Sequence, residues 1–179
     1  KIMKKIVVFA GSNSKKSINK ELAVFTASLV ENVEVQVLDL NDYEIPVYGI
    51  DDENEFGIPE KAEEFLKNIH SSDGIILSLA EHNGNFSAAF NNIYDWSSRI
   101  NKEVWNNAPM LIMATSPGGR GGATVLSIAK NGFPHLGGNI VSDFSLPSFY
   151  DNFKDGKVVN EDLLDTLKVA VNTFSDSLK

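Results

Sequence analysis

The sequence contains no cysteine and no long apolar run. Without cysteine the chain can form no disulfide, thiolate nucleophile or Cys-ligated metal centre, and this composition is compatible with a reducing cytoplasm. The apolar run near the N-terminus covers only residues 6–10, which is short of a signal-peptide core and far short of a membrane span. These absences predict a soluble cytoplasmic protein.

Positive charge is also scarce in this chain of 179 residues. Lys and Arg number 16 against 24 Asp and Glu, so the formal net charge is -8 and the pI is near 4.8. The lysines cluster no further than the pairs at 4–5 and 15–16. Nucleic acid and anionic membrane surfaces are therefore not expected as partners.

Residues that commonly carry catalysis are few as well. His70 and His135 belong to no H-E-x-x-H or similar set, so we expect no metal site. Ser116 lacks the G-x-S-x-G elbow, which argues against a Ser-His-Asp hydrolase. We expect Trp96 and Trp105 to pack in the core or in an interface, and we expect no catalytic side chain.

The sequence does contain a regular alternation of strand and helix patterns. Apolar runs rich in β-branched residues predict five strands, at 5–10, 34–40, 74–80, 109–116 and 139–146. Apolar residues at helical spacing predict helices near 22–29, from 59 to 69, behind a Ser87 cap, from 123 to 130 and from 161 to about 178.

This alternation predicts one domain, residues 1–179, of the α/β class. Five strands with short connections favour a flavodoxin-like, doubly wound parallel sheet of order 2-1-3-4-5, with helices on both faces. The run at 34–40 alternates in polarity, so we place it nearer an edge. The acidic stretch at 49–60 is expected to be a solvated loop.

Ligands of such sheets bind outside the carboxyl ends of the strands, near the reversal in strand order. Three loops meet this condition: "GSNSKKSIN" at 11–19, "EHNGNFS" at 81–87 and "SPGGRGG" at 116–122. All three are rich in Gly, Ser and Asn. One binding site built from backbone N–H groups and short side chains follows from this topology.

The first loop precedes a helix N-terminus, where unpaired N–H groups and the helix dipole favour an anion. Ser12, Ser14, Ser17 and Asn19 add short donors, so a phosphate monoester fits this loop. It matches neither the Walker nor the G-x-G-x-x-G pattern. The alternative interpretation is that Ser17 or Asn19 merely caps the helix.

The other two loops suit a flat ligand. Gly84 between two asparagines indicates a tight turn with exposed N–H groups, able to follow the edge of a heteroaromatic ring. The third loop combines a proline with four glycines, which let the backbone approach a ligand closely. Its spacing differs from the dinucleotide fingerprint, which disfavours a Rossmann NAD domain.

Together these motifs make the chain resemble a known family. The segments "GSNSKKSIN", "EHNGNFSAAFNNIYDWSSR" and "TSPGGRGG", in this order, resemble the NAD(P)H-dependent FMN reductases of flavodoxin-like fold, which include bacterial quinone, azo-dye and chromate reductases. The resemblance spans roughly residues 5–149. It implies FMN as cofactor and NADPH or NADH as co-substrate.

The resemblance also implies roles for individual residues. The residues implied at the FMN phosphate are Ser12, Ser14, Lys16, Ser17, Ile18 and Asn19. Those implied along the isoalloxazine ring are His82, Asn83, Gly84, Asn85 and Phe86, and those implied on the other side of the flavin are Ser116, Gly118, Gly119 and Arg120.

The sequence departs from the family pattern at two of these positions. Many members carry arginine where Ser14 stands, so Lys15 or Lys16 is expected to neutralise the phosphate. His82 stands where tyrosine is common, in a loop that, with the helix after it, forms part of the family's dimer interface. The resemblance thus implies a homodimer or homotetramer.

The implied activity is a ping-pong reduction. A bound flavin takes hydride from a nicotinamide and passes electrons to a quinone, free flavin, azo or nitro compound, or metal oxyanion. Two other readings stay open at this point: a flavodoxin-type FMN electron carrier, and a flavin-free signalling or scaffold domain of the same fold. The first loop lacks the internal glycine of the flavodoxin phosphate loop, and no acidic cluster of receiver domains follows the first strand.

Overall fold

The structure is a computed structural model that describes residues 2–178. The strands are β1 (Lys4–Gly11), β2 (Val33–Val37), β3 (Gly74–Leu79), β4 (Glu81–His82), β5 (Asn85–Phe86), β6 (Pro109–Thr115), β7 (Asn139–Leu146), β8 (Phe153–Lys154) and β9 (Lys157–Val158). The helices are α1 (Ile18–Ser28), α2 (Ile50–Phe56), α3 (Glu60–His70), α4 (Ala88–Ile100), α5 (Ala123–Gly132), α6 (Phe149–Asn152) and α7 (Glu161–Ser177).

The main sheet has the predicted topology. Its five strands are all parallel, in the order β2-β1-β3-β6-β7, which corresponds to 2-1-3-4-5 when the five main strands are numbered in chain order. The three central strands are almost entirely buried, as their continuous apolar character predicted. The alternating run forms β2 at an edge, also as predicted.

Each face of the sheet carries its own core. Along β1, Val7 and Phe9 pack with apolar residues of α3, α4 and α5, whereas Ile6 and Val8 pack with residues of α1 and α7. This division follows from the two-residue repeat of a strand. Helices therefore cover both faces, as predicted, and the carboxyl edge of the sheet is left for the loops.

The acidic stretch at 49–60 corrects one prediction, because it contains the helix α2. Three carboxylates in its first turn are favoured by the helix dipole, and Gly57, with φ +77, ends it. Glu53 accepts hydrogen bonds from Arg99 of α4 at 2.9 Å and from the hydroxyl of Tyr48 at 2.8 Å. The Arg99 guanidinium and the Tyr48 hydroxyl lower the pKa of Glu53.

Most strand boundaries lie within one residue of the predictions, and two other differences concern the end of the second strand and the start of the second helix. The second strand ends at Val37 because Asp39 caps a 3-10 turn at Leu40–Asp42, accepting from the N–H of Asn41 at 2.9 Å. The second predicted helix starts one residue after Pro59, at Glu60. Within residues 2–178 no helix has both the length and the apolar character needed to cross a membrane.

Candidate flavin site

The strand register brings the three predicted loops together. Gly11 pairs with Leu79, Leu79 with Ala114, and Thr115 with Leu146, so these strands reach the carboxyl edge at nearly the same level. The loops that follow β1, β3 and β6 therefore share one surface, as the topology predicted.

A buried amide joins three of these elements. Asn19, 3% exposed, accepts from the Ser78 hydroxyl at 2.7 Å and from the Thr115 N–H at 3.1 Å, and its own amide donates to the Thr115 carbonyl at 3.2 Å. Replacing the Asn19 amide by an apolar side chain would leave the buried N–H of Thr115 without an acceptor, at a cost of about 1–3 kcal/mol. Asn19 therefore positions the first loop against β3 and β6.

A cavity of about 240 Å³ lies where the loops meet. Its lining comprises Ser12, Ser14, Lys16, Ser17, Ile18, Asn19, Ala80, Glu81, His82, Thr115, Ser116, Pro117 and Tyr150. Eight predicted site residues are among these: Ser12, Ser14, Lys16, Ser17, Ile18, Asn19, His82 and Ser116. The other seven do not line it: Asn83, Gly84, Asn85, Phe86, Gly118, Gly119 and Arg120.

The hydroxyls of the first loop fold it into a compact turn. Ser12 Oγ accepts from the N–H of Ser14 at 3.1 Å, and Ser14 Oγ accepts from that of Lys16 at 3.3 Å. Ser17 Oγ caps α1 by accepting from the N–H of Lys20 at 3.1 Å. The cap interpretation is thus correct for Ser17. A hydroxyl that accepts from an N–H keeps its own hydrogen to donate, so capping leaves each serine able to donate to an anion.

The second loop is a two-residue hairpin between β4 and β5. Asn83 and Gly84 have φ of 53 and 72, the left-handed pair that a type I′ turn needs, so the predicted tight turn is confirmed. Glu81 Oε2 accepts from the N–H of Val125 at 2.8 Å, which attaches the hairpin to the first turn of α5. Sequence reasoning assigned no role to Glu81, and no local pattern marks one, because the helix N-terminus that this carboxylate reaches lies 44 residues further along the chain.

Phe86 points away from the ligand side of this hairpin. Its ring stacks on Phe133 with centroids 5.9 Å apart and meets Phe90 edge-on at 5.0 Å. The side chain therefore anchors the hairpin in the core between α4 and the segment that follows α5. Any contact of residue 86 with a ligand would come from its backbone.

The glycines of the third loop divide into two kinds. Gly121 and Gly122 have φ of 58 and 73, and a Cβ on Gly121 would contact Ser145 Oγ and lie 2.9 Å from Pro147 N. Gly118 and Gly119 have no positive φ; a Cβ on Gly119 would meet nothing within 4 Å, and one on Gly118 only Ser116 Oγ at 4.0 Å. The fold thus requires the last two glycines but not Gly118 or Gly119.

Two other features fix this loop. The N–H groups of Ser148 and Phe149 donate to the carbonyls of Gly118 and Ser116 at 2.9 and 3.0 Å. The Arg120 guanidinium donates to Thr124 Oγ1 at 2.9 Å, along α5 and away from the cavity. Tyr150, next to these residues, is 65% exposed and lines the cavity. An aromatic residue just after a strand's carboxyl end was the sequence signal for it.

The residues present fit FMN. Three serine hydroxyls, the Lys16 ammonium and the first-turn N–H groups of α1 are suitable phosphate partners. Gly118 and Gly119 leave space that a flat ring system could approach. This fold with this donor set defines a flavin-binding α/β protein.

Comparison with known proteins identifies the family. The model of the NADPH-dependent FMN reductase family matches residues 4–151, and the chain belongs to this family. It is 28% identical over 176 residues to a 2-hydroxy-1,4-benzoquinone reductase of a Burkholderia species, covering 96% of this chain and 94% of that protein. It is 25% identical over 189 residues to a quinone reductase of Escherichia coli, covering 97% and 95%.

A solved structure agrees with this assignment. The flavoenzyme NAD(P)H:(acceptor) oxidoreductase FerB of Paracoccus denitrificans superposes with a TM-score of 0.77 at 27% identity, covering 98% of this chain and 97% of that one. The protein is accordingly an oxidoreductase with FMN as cofactor and NAD(P)H as co-substrate. These findings confirm the resemblance and do not support the carrier or the flavin-free alternative.

Proposed function

We propose that this protein reduces a quinone with electrons from NAD(P)H by a ping-pong mechanism. The observation that carries the proposal is the cavity at the carboxyl edge, with a hydroxyl-rich turn at a helix N-terminus on one side and the third loop, with its unconstrained glycines, close by. Two similar proteins are named as quinone reductases, which favours a quinone over the flavin, azo, nitro and oxyanion acceptors.

In this proposal the first loop holds the FMN phosphate. Ser12, Ser14 and Ser17 donate from their hydroxyls, Lys16 supplies positive charge, and the N–H groups of Ile18 and Asn19 lie in the first turn of α1, where a helix provides no acceptor. Ser14 stands where many family members carry arginine. The positive charge at this end of the cavity therefore comes from Lys16, which lines it.

The other two loops hold the ring. The backbone of residues 82–86 follows its edge, and the exposed N–H groups of the hairpin turn stabilise negative charge that develops there on reduction. Ser116, Gly118 and Gly119 lie on the other side of the ring, and Arg120 supports the loop through Thr124. Bound FMN would supply the hydride and electron chemistry.

The chain's own residues supply positioning and no nucleophile. They leave one face of the site open, so the two substrates use the same space in turn, which is the basis for a ping-pong order. NAD(P)H leaves oxidised before the quinone enters. Both substrates are small, and no macromolecular electron donor is required.

The function is tested by anaerobic reduction. The purified protein, loaded with FMN, is expected to show an oxidised flavin spectrum that bleaches within seconds on adding NADPH or NADH, and to recover its colour when a benzoquinone follows. Parallel initial-velocity lines in a two-substrate analysis are expected for the ping-pong order. A bound flavin that stays oxidised would contradict the proposal, and so would intersecting lines.

We also propose that the protein is a homodimer or a dimer of dimers. Val47, Ile50 and Phe56 are apolar residues 80%, 51% and 74% exposed, on the surface formed by α2 and the chain before it. This surface adjoins α4, through the Arg99 to Glu53 pair and the edge-on rings of Tyr48 and Trp96. Several large exposed apolar residues within one short segment favour association.

Light scattering tests the assembly. The particle is expected at two or four times the chain mass of 19.6 kDa. The double variant Val47→Lys, Phe56→Lys should shift it toward one chain, whereas Val169→Lys, at a 66% exposed apolar position on α7, should not. A wild-type monomer at micromolar concentration contradicts the proposal.

We further propose that residues 1–179 form one domain. We also propose a cytoplasmic location, in line with the absence of cysteine.

A further inference from the structure

A second groove continues from the candidate flavin site. It has a volume of about 840 Å³ and runs along the outer face of α1 toward the turn between β8 and β9 at Gly156. It shares Lys16, Ser17, Ile18 and Tyr150 with the cavity at the carboxyl edge. A ligand that occupies both spaces need not leave the protein surface between them.

The charge of this groove contrasts with that of the chain. Its lining carries Lys15, Lys16 and Lys20 against the single carboxylate of Glu21, whereas the whole chain has a net charge of -8. Lys20 is held by Asp39 at 2.6 Å, so its charge is partly compensated. Lys15 and Lys16 lie at the end nearest the cavity. This end favours an anionic group.

Beside Lys20, Glu21 and Ser28, the rest of the groove presents aromatic and aliphatic side chains. Val24 is 43% exposed, and Tyr150 is 65% exposed although its ring is braced edge-on by Phe149 at 5.4 Å. Phe25, partly buried, meets Phe153 edge-on at 5.9 Å. An exposed aromatic ring on a fixed base, beside aliphatic side chains, provides a surface for a planar heterocycle.

From these features we infer that the groove binds the adenosine diphosphate half of the nicotinamide dinucleotide. The pyrophosphate lies by Lys15, since Lys16 is assigned to the FMN phosphate, and the adenine lies against the ring of Tyr150, while Val24, 43% exposed, lines the groove beyond that ring. The volume is within the range of about 300–1,000 Å³ typical of small-molecule sites. This inference rests on the proposed function, since NAD(P)H must bring its nicotinamide to the cavity that the groove joins.

A pair of variants at Val24 tests the groove without touching the phosphate turn. Val24 follows Ser17 by seven residues, which is about 10 Å along the helix axis. Val24→Glu adds a negative charge on an exposed helical position, and Val24→Gln adds nearly the same bulk without charge. Both replacements are good helix formers, so α1 should fold in both variants.

ADP is the probe, used on the FMN-loaded protein with excess FMN present. Calorimetry should show ADP binding to the wild type, with the dissociation constant about tenfold higher in Val24→Glu and within twofold in Val24→Gln. In stopped-flow reduction, ADP should raise the apparent dissociation constant of NADH without changing the limiting rate.

Three outcomes overturn the inference. The first is equal ADP affinity in the two variants, and the second is no ADP binding at all. The third is ADP binding that Val24→Glu weakens but that does not compete with NADH or NADPH, since the groove would then serve a free nucleotide. Failure of the proposed function is read separately, as an FMN-loaded protein that NADPH and NADH do not reduce, and the calorimetric comparison with ADP remains valid in that case.

Discussion

Ser17→Asp is expected to lower the affinity for FMN about 10²–10³-fold. The Ser17 side chain lies at the N-cap of α1 and lines the cavity, so an aspartate there would place its charge beside the proposed phosphate. Two like charges about 4 Å apart in a partly buried site repel by about 4 kcal/mol. Titration of the FMN-free protein with FMN, followed by quenching of flavin fluorescence, measures this loss.

Ser17→Asn is the matched control. Asparagine has the shape of aspartate without its charge, and both are good N-cap residues, so α1 should keep its cap in either variant. The free energy of unfolding of the FMN-free variants should therefore be similar. If the two variants bind FMN with equal affinity, the phosphate lies elsewhere and the proposed orientation of the cofactor is wrong.

Gly121→Ala is expected to destabilise the protein by about 2–4 kcal/mol. Its φ of 58 is unfavourable for a residue with a Cβ, and that Cβ would lie against Ser145 Oγ and 2.9 Å from Pro147 N. The loop would have to move away from the end of β7, and the hydrogen bond from the Ser145 hydroxyl to the Gly121 carbonyl would be strained. Urea unfolding of the FMN-free protein measures the loss without a contribution from cofactor binding.

Gly119→Ala is the control in the same loop. Its Cβ would meet no protein atom within 4 Å, so its free energy of unfolding should change by less than about 0.5 kcal/mol. The same variant should nevertheless bind FMN or NAD(P)H more weakly if the ring system passes close to this backbone. Equal stability of Gly121→Ala and Gly119→Ala would show that the two kinds of glycine are not distinguished by the fold.

Much of the fold was predictable because its determinants are local. The continuous apolar runs of β1, β3 and β6 predict buried parallel strands, and the helical stripe of Leu22 and Phe25 predicts α1. Alternation of these elements then leaves few topologies. The helix α2 was missed because it buries no residue, so no apolar stripe marks it, and because the ion pair that holds it joins Glu53 to Arg99, 46 residues further along the chain.

The positions of the three loops could also be inferred, since carboxyl ends of parallel strands must share an edge. Which residues of each loop contact the ligand and which contact the rest of the protein could not be inferred from the sequence. Asn19 and Gly118 belong to motifs that appear equally important in the sequence. In the structure Asn19 is buried and bonded to neighbouring elements, whereas Gly118 is exposed. Nothing in the amino-acid sequence distinguishes a side chain that donates a hydrogen bond to a ligand from one that forms a hydrogen bond with a neighbouring loop.

The sequence by itself determined the class of the fold and the edge on which the site lies, because strand periodicity and turn residues act over short stretches of chain, and the resemblance of its three motifs to the FMN reductases implied the cofactor. Only the tertiary structure decided which residues of the three loops hold the loops in place and which remain free to bind a ligand. It held Asn19 between β3 and β6, turned Phe86 into the core, attached Glu81 to α5 and brought Tyr150 to the cavity. The hydrogen bonds of Glu81 and Asn19 join residues 44 and 96 positions apart, where the pairing depends on packing of the whole sheet rather than on any local pattern.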